Sequence, residues 1–238
     1  MSDAPATLAD LADRNLRRDI VAGVLKPGER LTAVFLTQRY QIGASPMREA
    51  LSRLWTDHLV VLEGKKGFTV APTSVAELDD ISACRRLVET EAVRLSVEAG
   101  DETWQSNLVA AFYRLDRAEE RVRSNAVADL NEWESRNREF HEAVLSACAS
   151  VWLKRLQRVL YSQHERYRRL SLLNHDPARD LRAEHRDIMQ ACLDGDPAKA
   201  AQLSADHIDK TAAAVRAVLA AAAPNPRRQR TKPRKATS

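Results

Sequence analysis

Residues 36–71, LTQRYQIGASPMREALSRLWTDHLVVLEGKKGFTVA, decide the fold of the amino-terminal third of the chain. Leu36, Tyr40 and Ile42 mark one short helix and its end, and Gly43 supplies a tight turn. Ser45-Pro46 reads as the next helix start: serine accepts bonds from free N–H groups, and proline suits the first turn. Met47, Ala50, Leu51 and Leu54 recur at helical spacing and form the apolar face of that helix. Two β-type runs, Leu59–Leu62 and Phe68–Val70, flank the tip Gly64-Lys65-Lys66-Gly67. Helix, turn, helix and hairpin follow one another as in a winged helix-turn-helix, which lays its second helix in the major groove of DNA.

Upstream, residues 8–23 place Leu8, Leu11, Leu16 (with Ala12), Ile20 and Val24 near helical spacing, and Gly23 with Pro27-Gly28 ends that helix. Downstream, Pro72-Thr73-Ser74 is a boundary, beyond which the pattern is helical almost throughout. Candidate helices cover about 75–99, 102–123, 126–148, 150–170, 177–194 and 197–222. The expected fold is mainly α. A winged helix-turn-helix of three helices plus a β-hairpin spans 1–72, and an all-α bundle spans 73–223. Residues 224–238, PNPRRQRTKPRKATS, hold no core former and read as a disordered basic tail.

The net charge of +4 is uneven. Residues 1–72 carry 10 Lys/Arg against 8 Asp/Glu, residues 73–223 carry 21 against 25, and the tail carries 6 against none. The positive excess therefore lies where phosphates are expected to bind. No apolar run approaches the roughly 20 residues of a membrane span, and MSDAPATLAD lacks the apolar core of a secretion signal. Cys84, Cys148 and Cys192 are odd in number, unpaired in spacing and inside helical patterns, so buried thiols in a reducing cytoplasm are expected.

A groove-reading helix contacts bases with residues near its N-terminus, here Ala44, Ser45, Met47 and Arg48. Arg48 is the leading candidate, since its fork matches guanine or a phosphate. Lys65 and Lys66, with Gly67 shaping the tip, are expected to reach the DNA backbone or minor groove, and Arg39 and Arg53 are further phosphate candidates. In the helical region, Asn137 and His141 are four apart and share one helix face. His141, His185 and His207 each fall on an apolar stripe, and three imidazoles converging on one cavity would suit a divalent metal. His58, His164 and His175 fit no site and are expected at the surface. Trp55, Trp104, Trp133 and Trp152 read as core or interface.

The stretch 36–71 resembles the amino-terminal domain of GntR-type bacterial transcription regulators. It keeps Pro46, Arg48, Glu49, Ala50, Leu51 and Leu54 of their pattern and Gly67 of the wing, but has Gly43-Ala44 where Ser-Arg is usual. That departure implies an altered operator or weaker base reading. Residues 75–222 are similar to the all-helical FCD ligand-binding domain of the FadR branch, through ACRRLVETEAVRLS, NREFHEAVLSAC, EHRDIMQACLDGDPAKA and DHI. The resemblance implies a metal site built from Asn137, His141, His185 and His207, with zinc the usual metal and nickel or another divalent ion as alternatives. It also implies a small carboxylate effector near the metal, with Arg85 of the Arg85/Glu89 pair on its acid group. The expectation is a dimeric, cytoplasmic, ligand-controlled regulator of a double-stranded operator, a repressor, and not an enzyme. The alternatives are constitutive DNA binding with a structural metal, and a metal-dependent hydrolase.

Overall fold

The computed structural model describes residues 7–64, 67–124, 130–172 and 179–222. Lys65, Lys66, His175 and the basic tail lie outside the described residues.

The amino-terminal lobe begins with helix α1 (Leu8–Val21). Thr7 caps it reciprocally: its hydroxyl accepts from Asp10 N at 3.1 Å while its own N–H donates to the Asp10 carboxylate at 2.8 Å. Ala12, Leu16 and Ile20 face the core, whereas Leu8, Leu11 and Val24 are exposed. The buried stripe is therefore narrower than the leucine spacing implied.

Strand β1 (Arg30–Leu31) leads into α2 (Ala33–Tyr40), and α2 ends where Gln41 takes a left-handed φ of 55°. Helix α3 (Ala44–Thr56) starts two residues earlier than the Ser45 cap and Pro46 first turn implied. Its N-cap is Gly43, which offers no side-chain cap. Ser45 thus lies inside the first turn. Strands β2 (Val60–Leu62) and β3 (Phe68–Val70) form the hairpin, and β1 pairs antiparallel with β3, giving a three-stranded sheet in the order β1-β3-β2. The expected two-stranded wing thus has a third strand, too short to show a period in sequence. Leu16, Ile20, Leu36, Met47, Ala50, Leu54, Leu59 and Val70 pack into one apolar cluster that sets α3 against the sheet.

Helix α4 (Val75–Ala99) follows, capped by Ser74 on Glu77 N at 3.1 Å. Gly100 then breaks the chain for a steric reason. A Cβ there would stand 2.2 Å from the Trp104 ring, which covers the backbone and donates to the Ala143 carbonyl at 2.9 Å. Helices α5 (Glu102–Ser124), α6 (Leu130–Val144), α7 (Val151–Leu172), α8 (Leu181–Leu193) and α9 (Pro197–Ala222) complete the bundle. Helix α6 stops at Val144 rather than near 148, and α8 begins at Leu181 rather than near 177.

Helix α4 packs along α9 and α7, and α5 packs along α6 and α8. Trp104, Leu108, Leu115, Trp133, Phe140, Val144, Ile188 and Cys192 form the main core of the bundle. Cys148 and Cys192 are buried thiols, Cys84 is half-buried, and burial pushes the Cys192 thiol up to about 12. Trp104 and Trp133 are core, but Trp55 and Trp152 are exposed. No described helix is long and apolar enough to cross a membrane.

Candidate metal centre and DNA interface

Three helices deliver one histidine each to the middle of the bundle: His141 from α6, His185 from α8 and His207 from α9. All three are buried, and one nitrogen of each lies within 4.8 Å of the others. Ring centroids are 5.5 Å apart for His141 and His185, 5.2 Å for His141 and His207, and 4.7 Å for His185 and His207.

The outer nitrogens are held by carboxylates. His185 Nδ1 lies 2.8 Å from Glu119 of α5, and His207 Nδ1 lies 2.8 Å from Glu184 of α8. A carboxylate on Nδ1 fixes the tautomer that carries its proton there and leaves Nε2 with a free lone pair turned inward. His185 Nε2 is buried and has no hydrogen-bond partner among the described residues. Asn137, one turn before His141, donates from Nδ2 to the Tyr161 hydroxyl at 2.6 Å, while its buried Oδ1 has no partner. Orphaned buried acceptors are uncommon, since each forgoes its hydration without replacement. Three clustered imidazoles, one with its Nε2 orphaned, and the orphaned Asn137 Oδ1 are the kind of donor set that a divalent cation satisfies.

The protonation states agree with this chemistry. Burial, with the other two imidazoles, holds His141 well below the ordinary histidine range. Burial also takes His207 down to about 3, against the opposing pull of Glu184. Burial alone would raise Glu184, but hydrogen bonds from Arg179 and His207 outweigh it and keep the carboxyl well below its usual range. Arg179 forks onto Glu184 at 2.9 and 2.7 Å and so stiffens the Glu184–His207 pair. Neutral rings and an ionised supporting carboxylate are what metal ligation requires.

Arg85 and Glu89 are buried, unlike a surface i,i+4 pair. Arg85 donates to both Glu89 oxygens, at 2.6 and 3.0 Å, and its guanidinium stacks 5.1 Å from the Tyr161 ring centre. On the same ring lies Arg168, 4.9 Å from its centre and bonded to the buried Glu134 at 2.5 Å. Tyr161 also lines a pocket with Arg138, Glu142, Gln157, Arg158 and Ser162, so one phenol ring borders both that pocket and the histidines.

His164 overturns the surface expectation. It is fully buried, and neither ring nitrogen has a partner among the described residues. Local pattern does not mark Glu119, Glu184, Tyr161 or Arg168 as site residues either. Glu184 adjoins His185 in the chain and turns away from it, but meets His207 on the neighbouring helix.

At the DNA-reading end, Ser45 and Arg48 are exposed near the start of α3, and Arg48 makes no ion pair among the described residues. Met47 is withdrawn from the expected contacts. Its side chain is fully buried, because the helix turns this position into the core. Arg53 donates to Asp10 at 2.6 Å and to Glu49 at 2.5 Å, so a phosphate would have to displace two carboxylates. Arg39 is exposed but held by Asp19 at 3.1 Å. Gly67 at the wing has a φ of 81°, a left-handed value that glycine adopts without strain.

Comparison with known proteins agrees with the architecture. Residues 8–70 match the family model of bacterial regulatory proteins of the gntR family, and residues 80–210 match the FCD domain. The chain is 39% identical over 210 residues to the uncharacterized HTH-type transcriptional regulator BphR of Paraburkholderia xenovorans (strain LB400), covering 88% of this chain and 86% of the relative. It is 33% identical over 199 residues to the HTH-type transcriptional repressor GlaR of Escherichia coli (strain K12), covering 82% and 90%. Among solved structures, E. coli McbR/YncC has the same fold, with a TM-score of 0.73 at 22% identity over 89% of this chain and 98% of that one.

Proposed function

The chain belongs to the GntR family and is a DNA-binding transcription regulator, and from that premise we propose that it is a metal-dependent repressor released or engaged by a small organic acid. The observation that carries the proposal is the cluster of His141, His185 and His207, with orphaned acceptors on His185 and Asn137 and with Glu119 and Glu184 behind the rings. Asn137 Oδ1 and the three imidazoles would hold a divalent ion, zinc first. A bound ion there supplies a Lewis-acid docking point for an anionic oxygen. Arg85, already oriented by Glu89, offers its remaining N–H groups to the acid, and the Tyr161 ring lies beside both this arginine and His141.

Helix α7 joins the pocket to the DNA-reading lobe. Tyr161, His164 and Arg168 lie on one side of it, at spacings of three and four residues. Between them, Gln163 donates to the Asp57 carbonyl, and Arg166 donates to the carbonyls of Ala71 at 2.8 Å and Pro72 at 3.1 Å. Tyr167 bonds Glu77 and receives Ser74 N at 3.2 Å, at the cap of α4. A ligand that binds better to one setting of α7 shifts the lobe's position by that difference in affinity. Two chains, acting as a homodimer, read a two-fold operator.

Relatives and fold are those of regulators, and no metal-activated hydrolysis is proposed. Both carboxylates nearest the rings are engaged on Nδ1 rather than on the side of the free lone pairs. The test is metal analysis of the purified full chain with operator titrations. About one ion per chain and an acid-dependent change in DNA affinity support the reading. A metal-free chain whose DNA affinity ignores every acid refutes it.

A further inference from the structure

His164 is a buried imidazole on α7. It has no exposed surface, and neither Nδ1 nor Nε2 has a partner among the described residues. A native protein seldom leaves both sides of a ring so, because each buried group gives up its hydration without replacement. His164 is also not part of the metal cluster, whose ring nitrogens lie within 4.8 Å of one another.

Its position on α7 says where it looks. Tyr161 is one turn before it and Arg168 one turn after it, on the same helix side. Tyr161 receives Asn137 Nδ2 at 2.6 Å and lies 5.8 Å, centre to centre, from His141. Arg168 and Arg85 stack on Tyr161 from 4.9 and 5.1 Å. The charges that act on His164, besides the burial that keeps it neutral, are those of Arg85, Arg168, His207 and Arg179. Through Tyr161 and Arg168 it shares the side of α7 nearest the groups proposed to hold the effector.

A neutral imidazole offers one N–H and one lone pair. A carboxylate can only accept, so it satisfies the N–H and leaves the lone pair bare. A hydroxyl both donates and accepts, and can complete either side. We propose that His164 is a ligand-contacting, specificity-determining residue, and that it selects acids carrying a hydroxyl besides the carboxylate that docks at the metal and Arg85. This rests on the effector reading above. It adds a second polar contact to the site and a class of ligand: hydroxycarboxylic acids over their deoxy counterparts.

The experiment is calorimetric titration of the full-length, zinc-loaded chain with two matched pairs, malate against succinate and 3-hydroxybutyrate against butyrate. The original chain, His164→Phe and His164→Asn are compared, with metal content measured in each. The expected result is that in at least one pair the hydroxy acid binds about tenfold more tightly. That ratio falls to about one in His164→Phe and is partly kept in His164→Asn, which retains a donor and an acceptor. Zinc content stays near one per chain in both variants. Should the phenylalanine variant fail to fold, the asparagine variant with malate and succinate decides, since a shortened side chain must lower the ratio. Equal binding within both pairs, or a ratio unchanged in the variants, overturns the role of His164 while leaving the effector reading intact. No binding of any acid to the zinc-loaded chain overturns this inference, and absence of zinc binding overturns the reading on which it rests.

Discussion

Gln163 of α7 donates its side-chain amide to the backbone carbonyl of Asp57, and Asp57 is the C-cap of the groove-reading helix α3. The carbonyls at a helix end have no partners within the helix, so such a bond fixes where the end lies. The residue after Gln163 is His164, which shares its side of α7 with Tyr161 and Arg168. A small turn of α7 thus reaches the pocket and the end of α3 together. Arg166, one helical step on, does the same for the Ala71-Pro72 linker.

Breaking these bonds should separate sensing from response. In Gln163→Ala and Arg166→Ala, acid affinity by calorimetry should stay within about threefold of the original, since neither side chain faces the ligand. The change in DNA affinity that the acid causes should shrink several-fold, because coupling energies are only about 1–3 kcal/mol and each bond is of that order. Arg166→Ala should also lower thermal stability, as it strands the buried Ala71 carbonyl. Coupling that survives both substitutions would place the link elsewhere.

The carboxylates behind the imidazoles should tune the metal. Glu119→Gln and Glu184→Gln keep size but lose charge, and zinc affinity measured by competition with a chromophoric chelator should fall about 10–100-fold. His185→Ala should lose stoichiometric metal altogether. Adding zinc to the metal-free original chain should raise its unfolding temperature, and should barely move that of His185→Ala. Equal zinc affinity in both glutamine variants would mean that these carboxylates do not support ligands.

Asp19 gives the DNA-reading lobe an acid-sensitive joint. It is buried, and it accepts from Arg18 at 3.0 Å, Arg39 at 3.1 Å and the Tyr40 hydroxyl at 2.8 Å, tying α1 to α2. Burial alone would raise its pKa, but these three donors outweigh it and hold it below the unfolded value of 3.8. A carboxylate lowered in this way stabilises the fold above the unfolded value, and that contribution is lost as pH falls through the folded one. Asp19→Asn should therefore cost about 1–3 kcal/mol near neutrality. The gap to the original chain should stay flat from pH 8 to pH 5 and close below about pH 4. Denaturant unfolding at several pH values is the check. A gap that widened in acid would contradict the sign.

Arg48 is the exposed, unpaired arginine in the first turns of α3, and Arg53 is already committed to Asp10 and Glu49. Arg48→Ala should weaken operator binding by about tenfold or more. Arg53→Ala should do less to DNA binding. Fluorescence anisotropy with operator and with unrelated DNA, at two salt concentrations, distinguishes a base contact, which changes the ratio between the DNAs, from a phosphate contact, which lowers both. The reverse ranking of Arg48 and Arg53 would reassign the contact.

Local pattern made much of this molecule readable. The run Met47, Ala50, Leu51, Leu54 is apolar at helical spacing, and the structure buries all four. His141, His185 and His207 stand out because each interrupts an apolar stripe. Helix α7 was opaque for the opposite reason. Gln157, Gln163, His164, Glu165, Arg166 and Arg168 are all buried on it, and their burial is sustained largely by ion pairs and hydrogen bonds to other elements. A polar residue carries no apolar mark, so its burial leaves no periodic trace, which is why His164 read as surface. Met47 shows a related limit: its place near the start of α3 suggested the groove, and only the angle of the helix against the sheet decides that it points inward. The cap at Gly43 was missed because a glycine cap has no side chain to announce it.

If one buried metal site governs DNA binding, operator affinity of the full chain shows it under three conditions: zinc-loaded, zinc-loaded with malate, and chelated. About one zinc per chain is expected, with a DNA affinity that malate or a related hydroxy acid shifts at least tenfold when zinc is present and leaves unmoved after chelation. One and the same affinity in all three, with no acid in a wider panel altering it, would rule out metal-dependent control.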